Sequence, residues 1–269
     1  MPTMDSQRLP VQFSGVAMRV LILGGTTEAS QLARSIAGDA RFDATLSLAG
    51  RTASPRPQPL PTRIGGFGGA AALARWLAEQ KIEAVIDATH PYADQISANA
   101  VAACKQAGVP LASIVRPAWS ATAGDKWQIV PSADAAALAL EKAPQRVFLS
   151  LGRLELHCFS SAPQHRYVAR IIDPPQQAQL PPDIVFLQAR GPFDLAAETK
   201  LLTDERIDVI VSKNSGGSAT YPKIEATRAL GLPVIMIARP IKPSGHEASS
   251  AEEAVAWLAH GAPRSLRGV

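Results

Sequence analysis

Short apolar runs alternate with amphipathic segments along most of the chain, and this alternation predicts its secondary structure. A short apolar run is typical of a parallel strand that is buried on both faces. An amphipathic segment with 3.6-residue periodicity is typical of a helix that covers such a sheet. The apolar runs predict strands at 20–23, 44–49, 84–87, 111–115, 146–151, 167–172, 184–188, 209–211 and 234–238.

A sequence pattern that occurs twice in the chain predicts two similar halves. Residues 107–117 and 230–240 each pass through Gly-x-Pro into a strand and end in Arg-Pro, at a constant offset of 123 residues. Each follows a strand, a polar loop and a helix. We therefore predict an α/β fold of two doubly wound, Rossmann-like parallel-sheet domains that face a central cleft, an N-terminal domain at 18–143 and a C-terminal domain at 144–269.

Three segments fall outside the strand and helix pattern. Residues 1–17 lack the apolar centre of a secretory signal and predict a disordered extension. Residues 53–62 are rich in proline and predict a loop, and residues 118–131 are mostly polar and predict a connector.

Composition narrows the class of protein. The chain has 269 residues, 46% of them hydrophobic, which is ample for a large core. Its two cysteines, Cys104 and Cys158, are far apart, which favours a reduced cytoplasmic protein over a disulfide scaffold or a zinc site. The histidines are dispersed, so we predict no metal site. No apolar run has the length of a membrane span.

The charge of the chain favours small anionic ligands. The formal net charge is +4, and the basic residues are scattered without interleaved aromatic residues. Nucleic-acid binding would require a basic patch or stripe, so we predict no nucleic-acid partner.

The turn after the first strand is the first candidate site. Gly24 and Gly25 allow a sharp turn and a close approach to a ligand. Thr26 and Thr27 follow where a helix begins, and a helix N-terminus with unpaired donors favours a phosphate. The dinucleotide fingerprint G-x-G-x-x-G is not matched, so a tight turn that binds nothing is the alternative.

The end of the second strand is the next candidate. Arg51 and Thr52 follow Gly50 at the end of this strand. In an NAD-binding α/β unit, an acidic residue at this place accepts a hydrogen bond from the 2′-hydroxyl of the ribose. A guanidinium suits a 2′-phosphate instead, so the cofactor we predict is NADPH. An ordinary surface arginine is the alternative. Further on, the glycines around Gly66 allow a ligand to approach the backbone closely or form a flexible hinge.

Two polar loops follow buried strands in the two halves. Thr89, His90 and Tyr92 follow the strand at 84–87, and residues 212–217 follow the strand at 209–211. Carboxyl ends of parallel strands are where open α/β sheets bind ligands. His90 is a ligand contact or a loop-fixing hydrogen bonder, and Lys213 with its neighbours forms an anion-binding loop or a solvated turn.

Signatures of other enzyme classes are missing from the sequence. It has no Tyr-x-x-x-Lys pair of a short-chain dehydrogenase, no G-x-S-x-G elbow of a hydrolase and no phosphate-binding loop of an NTPase.

Taken together, these motifs resemble the precorrin-6A reductase family of cobalamin biosynthesis. The resemblance spans nearly everything from Met18 to Pro240 and rests on the order of seven short motifs: LGGTTE at 23–28, AGRT at 49–52, GGFGG at 65–69, DATHPYA at 87–93, VRP at 115–117, SKNSGG at 212–217 and ARP at 238–240. It implies NADPH-dependent reduction of one double bond in a large polycarboxylate macrocycle derived from a tetrapyrrole, giving precorrin-6B.

The chemistry of this reaction and the positions of the motifs suggest roles for individual residues. His90, Lys213 or water would deliver the proton that accompanies the hydride. The cofactor contacts we expect are Gly24, Gly25, Thr26, Thr27, Arg51, Thr52, Gly66, Thr89 and His90. The substrate contacts we expect are Tyr92, Arg116, Lys213, Asn214, Ser215, Gly216 and Arg239. A non-catalytic two-domain α/β binding protein for a small anionic ligand is the alternative.

Overall fold

The computed structural model describes residues 16–52, 54–175, 179–243 and 245–260, so most of the predicted extension at 1–17 lies outside the described residues. The described strands are β1 Met18–Leu23, β2 Phe42–Leu48, β3 Thr62–Ile64, β4 Ala84–Asp87, β5 Leu111–Ile114, β6 Lys126–Val130, β7 Arg146–Ser150, β8 Arg166–Ile171, β9 Ile184–Gln188, β10 Val209–Lys213, β11 Pro233–Ile237 and β12 His246–Ala248. The α-helices are α1 Thr27–Ile36, α2 Ala70–Glu79, α3 Asp94–Ala107, α4 Ala133–Leu138, α5 Leu195–Asp204, α6 Pro222–Leu230 and α7 Ala251–His260, with 3-10 turns at Arg153–Ser161 and Ser218–Thr220.

The strands form two parallel six-stranded sheets with the same layout. The first sheet has the order β3-β2-β1-β4-β5-β12, and the second has the order β9-β8-β7-β10-β11-β6. In each sheet the chain moves outward on one side of a central strand and then on the other, so that β1 and β4, or β7 and β10, lie at a topological switch point. The predicted pair of doubly wound parallel sheets is confirmed.

Helices cover both faces of each sheet. On the first sheet, α1 and α7 cover Val20 and Ile22 with apolar side chains that include Leu32 and Trp257. The opposite face is covered by α2 and α3. On the second sheet, α4 and the first 3-10 turn cover one face, and α5 and α6 cover the other. Burial on both faces explains why the central strands are short apolar runs.

The two sheets exchange their last strands, which corrects the division of the chain predicted at residues 143 and 144. β6 pairs with β11 in the second sheet, and β12 pairs with β5 in the first. The segment 126–138 therefore belongs to the second sheet, and the segment 246–260 belongs to the first. Both exchanged strands are edge strands with solvent-exposed positions, so they lack the continuous apolar run that revealed the others.

Helix ends agree with local chemistry. Gly108 and Gly231 end α3 and α6 in the left-handed conformation, with φ of +65° and +66°. α5 begins at Leu195, because the Asp194 side chain caps it by accepting from the Ala197 N–H. Among the described residues, no helix is long and apolar enough to cross a bilayer.

Candidate functional site

The turn from β1 into α1 presents a row of backbone donors. Gly25 has φ of +111°, and a Cβ there would point into open space. Gly24 serves packing instead, because a Cβ there would lie 2.6 Å from Leu46 Cδ1. Thr26 Oγ1 donates to the Ala88 carbonyl at 2.7 Å and accepts from the Ala29 N–H, so its hydroxyl fixes the turn.

Four consecutive N–H groups of this turn are free within the described part of the chain. Those of residues 25–28 meet no acceptor among the described residues. They lie at the start of α1, where the helix dipole also favours negative charge. A pyrophosphate accepts several such bonds, so these donors fit that part of a dinucleotide.

Arg51 follows β2, and its side chain is free of polar contacts to the other residues that the structure describes. Gly50, with φ of +73°, turns the chain out of the strand, and Arg51 is exposed to solvent. Its guanidinium makes no hydrogen bond or ion pair to another described residue. Thr52 lies next to it and is half-buried. A free guanidinium at the end of the second strand of a doubly wound sheet fits a 2′-phosphate.

Arg63, to which no sequence motif points, shapes the glycine-rich loop after β3. Its guanidinium donates to the carbonyls of Gly65 at 2.8 Å and Gly66 at 3.2 Å, and it lies 3.8 Å from the ring centroid of Phe67. A Cβ at Gly65, Gly66 or Gly69 would meet nothing within 4 Å. Packing therefore does not require these glycines, and the loop can be approached closely by a ligand.

A buried carboxylate organises the loop after β4. Asp87 is 2% exposed, and its side chain accepts from the Thr89 hydroxyl at 2.6 Å and from the Ser97 hydroxyl. Lys242, in the segment that returns to the first sheet, lies 3.6 Å from the same carboxylate and donates to Thr89 Oγ1 at 3.1 Å. Burial lowers the pKa of Lys242. The Thr89 hydroxyl is thus held in an ion-pair network whose members lie too far apart in the sequence to form a local motif.

His90 is neutral in this environment. Burial, reinforced by the positive charges of Arg116, Lys213, Lys223 and Lys242, lowers its pKa to about 3. The Tyr92 N–H donates to His90 Nδ1 at 3.3 Å, so the ring proton is on Nε2. The imidazole can donate one hydrogen bond from Nε2, but it does not carry a positive charge at neutral pH.

Tyr92 joins the two sheets. Its hydroxyl donates to the Ile237 carbonyl at the end of β11 and accepts from the Asn214 N–H at 2.8 Å. Burial raises the pKa of Tyr92 to about 12. The hydroxyl is therefore committed to the contact between the two carboxyl edges.

Two arginines and an asparagine complete this contact, which we call the inter-sheet joint: Tyr92, Arg116, Asn214, Ser215, Gly216 and Arg239. Arg239 donates to the carbonyls of Asn214, Arg116 and Pro117 at 2.7–3.0 Å. Arg116 donates from Nε to the Ser215 carbonyl at 2.7 Å and forms an ion pair with Glu28 at 2.6 Å. The Asn214 side chain bonds both the N–H and the carbonyl of Trp119.

Gly216 is required by the joint. Its φ is +63°, and a Cβ would lie 2.2 Å from both Arg239 Nη2 and the Pro117 carbonyl oxygen. The N–H groups of Gly216 and Gly217 meet no acceptor among the described residues. The loop after β10 therefore combines a packing requirement with free backbone donors.

Lys213 lies at the end of β10, at the switch point of the second sheet. It forms an ion pair with Glu155 of the first 3-10 turn, and its Nζ lies 4.8 Å from the ring centroid of Tyr92. At the switch point of the first sheet, between the ends of β1 and β4, a small pocket is lined by Thr26, Glu28, Ala88, Thr89, Pro91, Ile114 and Arg116. The structure thus brings the predicted loops of both halves to one region, while Arg51, Thr52 and Gly66 lie at the ends of β2 and β3, farther along the first sheet.

The class of protein follows from the two sheets and from the free donors after β1. It is a two-sheet α/β protein whose first sheet fits a phosphorylated nucleotide at its carboxyl edge. The chain belongs to the family described as precorrin-6x reductase CbiJ/CobK, whose model matches residues 19–259. The resemblance predicted from the seven motifs is confirmed.

Relatives and a solved structure agree with this family over nearly their full lengths. Precorrin-6A reductase of Rhodobacter capsulatus is 52% identical over 250 residues, which cover 92% of this chain and 99% of that protein. Cobalt-precorrin-6A reductase of Salmonella typhimurium is 30% identical over 238 residues, or 82% and 87% of the two proteins. A structure described as CobK precorrin-6A reductase matches with a TM-score of 0.87 at 50% identity, covering 94% of this chain and all of that one.

Proposed function

We propose that the protein is a precorrin-6A reductase that uses NADPH to reduce one double bond of precorrin-6A, giving precorrin-6B in cobalamin biosynthesis. The observation that carries this proposal is the family match over residues 19–259. The near-full-length relatives with the highest identity bear the name of this activity, which favours an enzyme over a non-catalytic binding protein. We assign the enzyme to the cytoplasm, because its two cysteines are free and its cofactor is a cytoplasmic reductant.

We infer that the natural substrate is free of cobalt. The relatives named precorrin-6A reductase are 40–52% identical to this chain, and those named cobalt-precorrin-6A reductase are 26–30% identical. The assay therefore compares the cobalt-free and the cobalt-loaded macrocycles side by side.

The residues of the first sheet fit the cofactor. The free N–H groups of residues 25–28 would hold the pyrophosphate, and Arg51 would hold the 2′-phosphate. The open loop around Gly66 and the fixed Thr89 and His90 would line the rest of the site. When bound, NADPH supplies a hydride, and the protein orients the two reacting rings.

Lys213 and the residues of the inter-sheet joint divide into two groups, according to whether their donors remain free to bind a polycarboxylate substrate. Arg116 and Lys213 keep spare donors, because no described residue accepts from Arg116 Nη2 and Lys213 has a single carboxylate partner. We infer that these two cations contact substrate carboxylates directly, together with the N–H groups of residues 216 and 217. Arg239, Asn214 and the Tyr92 hydroxyl are committed to other groups and would position the loop.

Two measurements test the proposal. NADPH should bind and be oxidised when precorrin-6A is added, with slower oxidation when cobalt-precorrin-6A replaces it. NADPH binding without oxidation by either macrocycle would support the binding-protein alternative. Faster oxidation with the cobalt-loaded macrocycle would overturn the substrate assignment alone.

A further inference from the structure

The carboxyl edges of the two sheets touch at a second place besides the inter-sheet joint. Arg56, in the loop after β2, donates to the Gly191 carbonyl at 2.8 Å, and Arg190, which follows β9, donates to the Ser54 carbonyl at 3.1 Å. We call these four residues the loop clasp. The clasp ties the β2 side of the first sheet to the β9 side of the second, whereas the joint ties the ends of β4 and β5 to those of β10 and β11.

The strand orders place the turns of the central strands between the clasp and the joint. In the first sheet β1 lies between β2 and β4, and in the second sheet β7 and β8 lie between β9 and β10. The turn after β1, with its free N–H groups at residues 25–28, therefore lies opposite the turns after β7 and β8. Ligands of an open α/β sheet bind at this edge, so the space between clasp and joint is the cleft in which cofactor and substrate would meet.

The turn after β7 differs from its counterpart after β1 in already holding a carboxylate of the protein. The Glu155 side chain accepts from the Gly152 N–H at 3.2 Å and forms the ion pair with Lys213. It caps the start of this turn, which after β1 is left open to a phosphate. An external anion beside β7 must therefore be held by side chains.

Arg153 is the cation that this turn presents. It is the first residue of the 3-10 turn after β7 and is half-buried. Its Nη1 donates to the Pro174 carbonyl, in the loop after β8, at 3.5 Å, which is the outer limit of a hydrogen bond. No described residue forms an ion pair with it. The guanidinium thus lies between the ends of β7 and β8, and its other N–H donors have no acceptor among the described residues.

The other cations on the second-sheet side of the cleft are more fully engaged. Lys213 is paired with Glu155. Arg190 belongs to the loop clasp, and Arg239 donates to three backbone carbonyls at the joint. Arg153 therefore has the largest unused hydrogen-bonding capacity of the cations described on this side.

We propose that Arg153 binds a carboxylate of the precorrin-6A macrocycle, an inference that rests on the proposed function. A planar guanidinium fits a carboxylate through two parallel N–H···O bonds. The phosphates of NADPH are assigned to residues 25–28 and Arg51 on the first sheet, which leaves Arg153 for the substrate. Together with Lys213, it gives the macrocycle two attachment points on the second sheet and so fixes its orientation toward the cofactor.

The test compares Arg153→Met and Arg153→Lys with a matched control, Arg166→Met. Arg166 is exposed at the start of β8, at the opposite edge of the same sheet. Loss of a hydrogen bond between charged groups lowers affinity about 10- to 100-fold, so Arg153→Met should raise the precorrin-6A dissociation constant by that factor. Arg153→Lys should recover part of the affinity, because an ammonium lacks the planar fork. The control should match wild type.

Two further measurements separate a substrate contact from other roles. In Arg153→Met, the NADPH dissociation constant and the single-turnover rate at saturating precorrin-6A should stay within about threefold of wild type, because the contact is equally strong before and during hydride transfer. An unchanged precorrin-6A dissociation constant in both variants would overturn the proposal. A loss of NADPH affinity as large as the loss for precorrin-6A would also overturn it, since Arg153 would then bind the cofactor.

This inference and the proposed function can fail separately. Both Arg153 variants should keep the urea midpoint of wild type, because Arg153 makes a single long hydrogen bond to described residues, so a loss of affinity does not reflect unfolding. If wild type oxidises NADPH with precorrin-6A and Arg153→Met keeps full affinity, only the role of Arg153 fails. If wild type binds precorrin-6A without oxidising NADPH, the reductase function fails, and the dissociation constants still decide the role of Arg153.

Discussion

Replacing Arg51 by alanine should weaken NADPH binding and leave NADH binding nearly unchanged. The 2′-phosphate of NADPH offers a guanidinium two oxygens, whereas NADH offers a hydroxyl at the same place. Arg51 is exposed and has no partner among the described residues, so the substitution breaks no internal contact there. The free energy of unfolding should therefore change by less than about 0.5 kcal/mol.

The size of the effect follows from the exposure of Arg51. A hydrogen bond to a charged group contributes roughly 1.5–3 kcal/mol, and about 1.4 kcal/mol is a factor of ten in affinity. Solvent screening of an exposed pair favours the lower end, so we expect NADPH to lose about tenfold in affinity. The loss should shrink as salt is added, because the Debye length falls to about 8 Å at physiological ionic strength and further above it.

Dissociation constants for both cofactors in wild type, Arg51→Ala, Arg51→Lys and Arg34→Ala measure this effect. Arg51→Lys should recover part of the affinity, since an ammonium lacks the planar fork. Arg34 is an exposed arginine in the last turn of α1, at the far edge of the sheet, and serves as the matched control. An equal loss of affinity for NADPH and NADH in Arg51→Ala would refute the reasoning, because Arg51 would not then recognise the 2′-phosphate.

Three further results test the architecture of the site. Gly216→Ala should lower the free energy of unfolding by about 2 kcal/mol or more, because its Cβ would lie 2.2 Å from two atoms of the joint; an unchanged urea midpoint would contradict this. Lys242→Met should cost about 3 kcal/mol by leaving the buried Asp87 carboxylate without its cation, and Asp87→Asn in the same protein should restore part of the loss in urea denaturation. The NMR chemical shifts of the His90 ring should not change between about pH 5 and 9, because its pKa is lowered to about 3. Since the pKa is higher in the unfolded chain, the free energy of unfolding should decrease as the pH falls below about 6.5. A titration midpoint of the ring near pH 6.5 would exclude the buried environment.

The sequence predicts the central part of each sheet well because burial leaves a clear pattern there. The runs that form β1, β4, β7 and β10 are apolar on both faces and end in the loops that carry the site. The exchanged strands β6 and β12 face solvent in part, and their side chains follow no apolar run. Local pattern also contains no information on which sheet a strand joins, so the exchange was not predictable from it.

The predicted site loops do meet, but the residues that form ion pairs with their side chains were not predictable. Carboxyl ends of parallel strands share an edge, and this places Tyr92 and Arg116 near Asn214 and Arg239 once the edges join. The ion pairs Glu28–Arg116, Glu155–Lys213 and Asp87–Lys242 join residues 58 or more positions apart, and the last depends on the returning segment. The sequence around Lys223 is that of an ordinary exposed helical lysine, and only the tertiary packing buries it.

The exchanged strands constrain how the protein can be made on the ribosome. The open edge of β5 and the apolar surface beneath Trp257 and Leu258 stay uncovered until residue 260 has been synthesised. At about 5–20 residues per second, the first half waits roughly 7–30 seconds for the rest of the chain. An uncovered strand edge is a template for association with other chains. We therefore expect the nascent chain to depend on chaperones until its last helix emerges, and a gene cut between the halves to yield two aggregation-prone fragments.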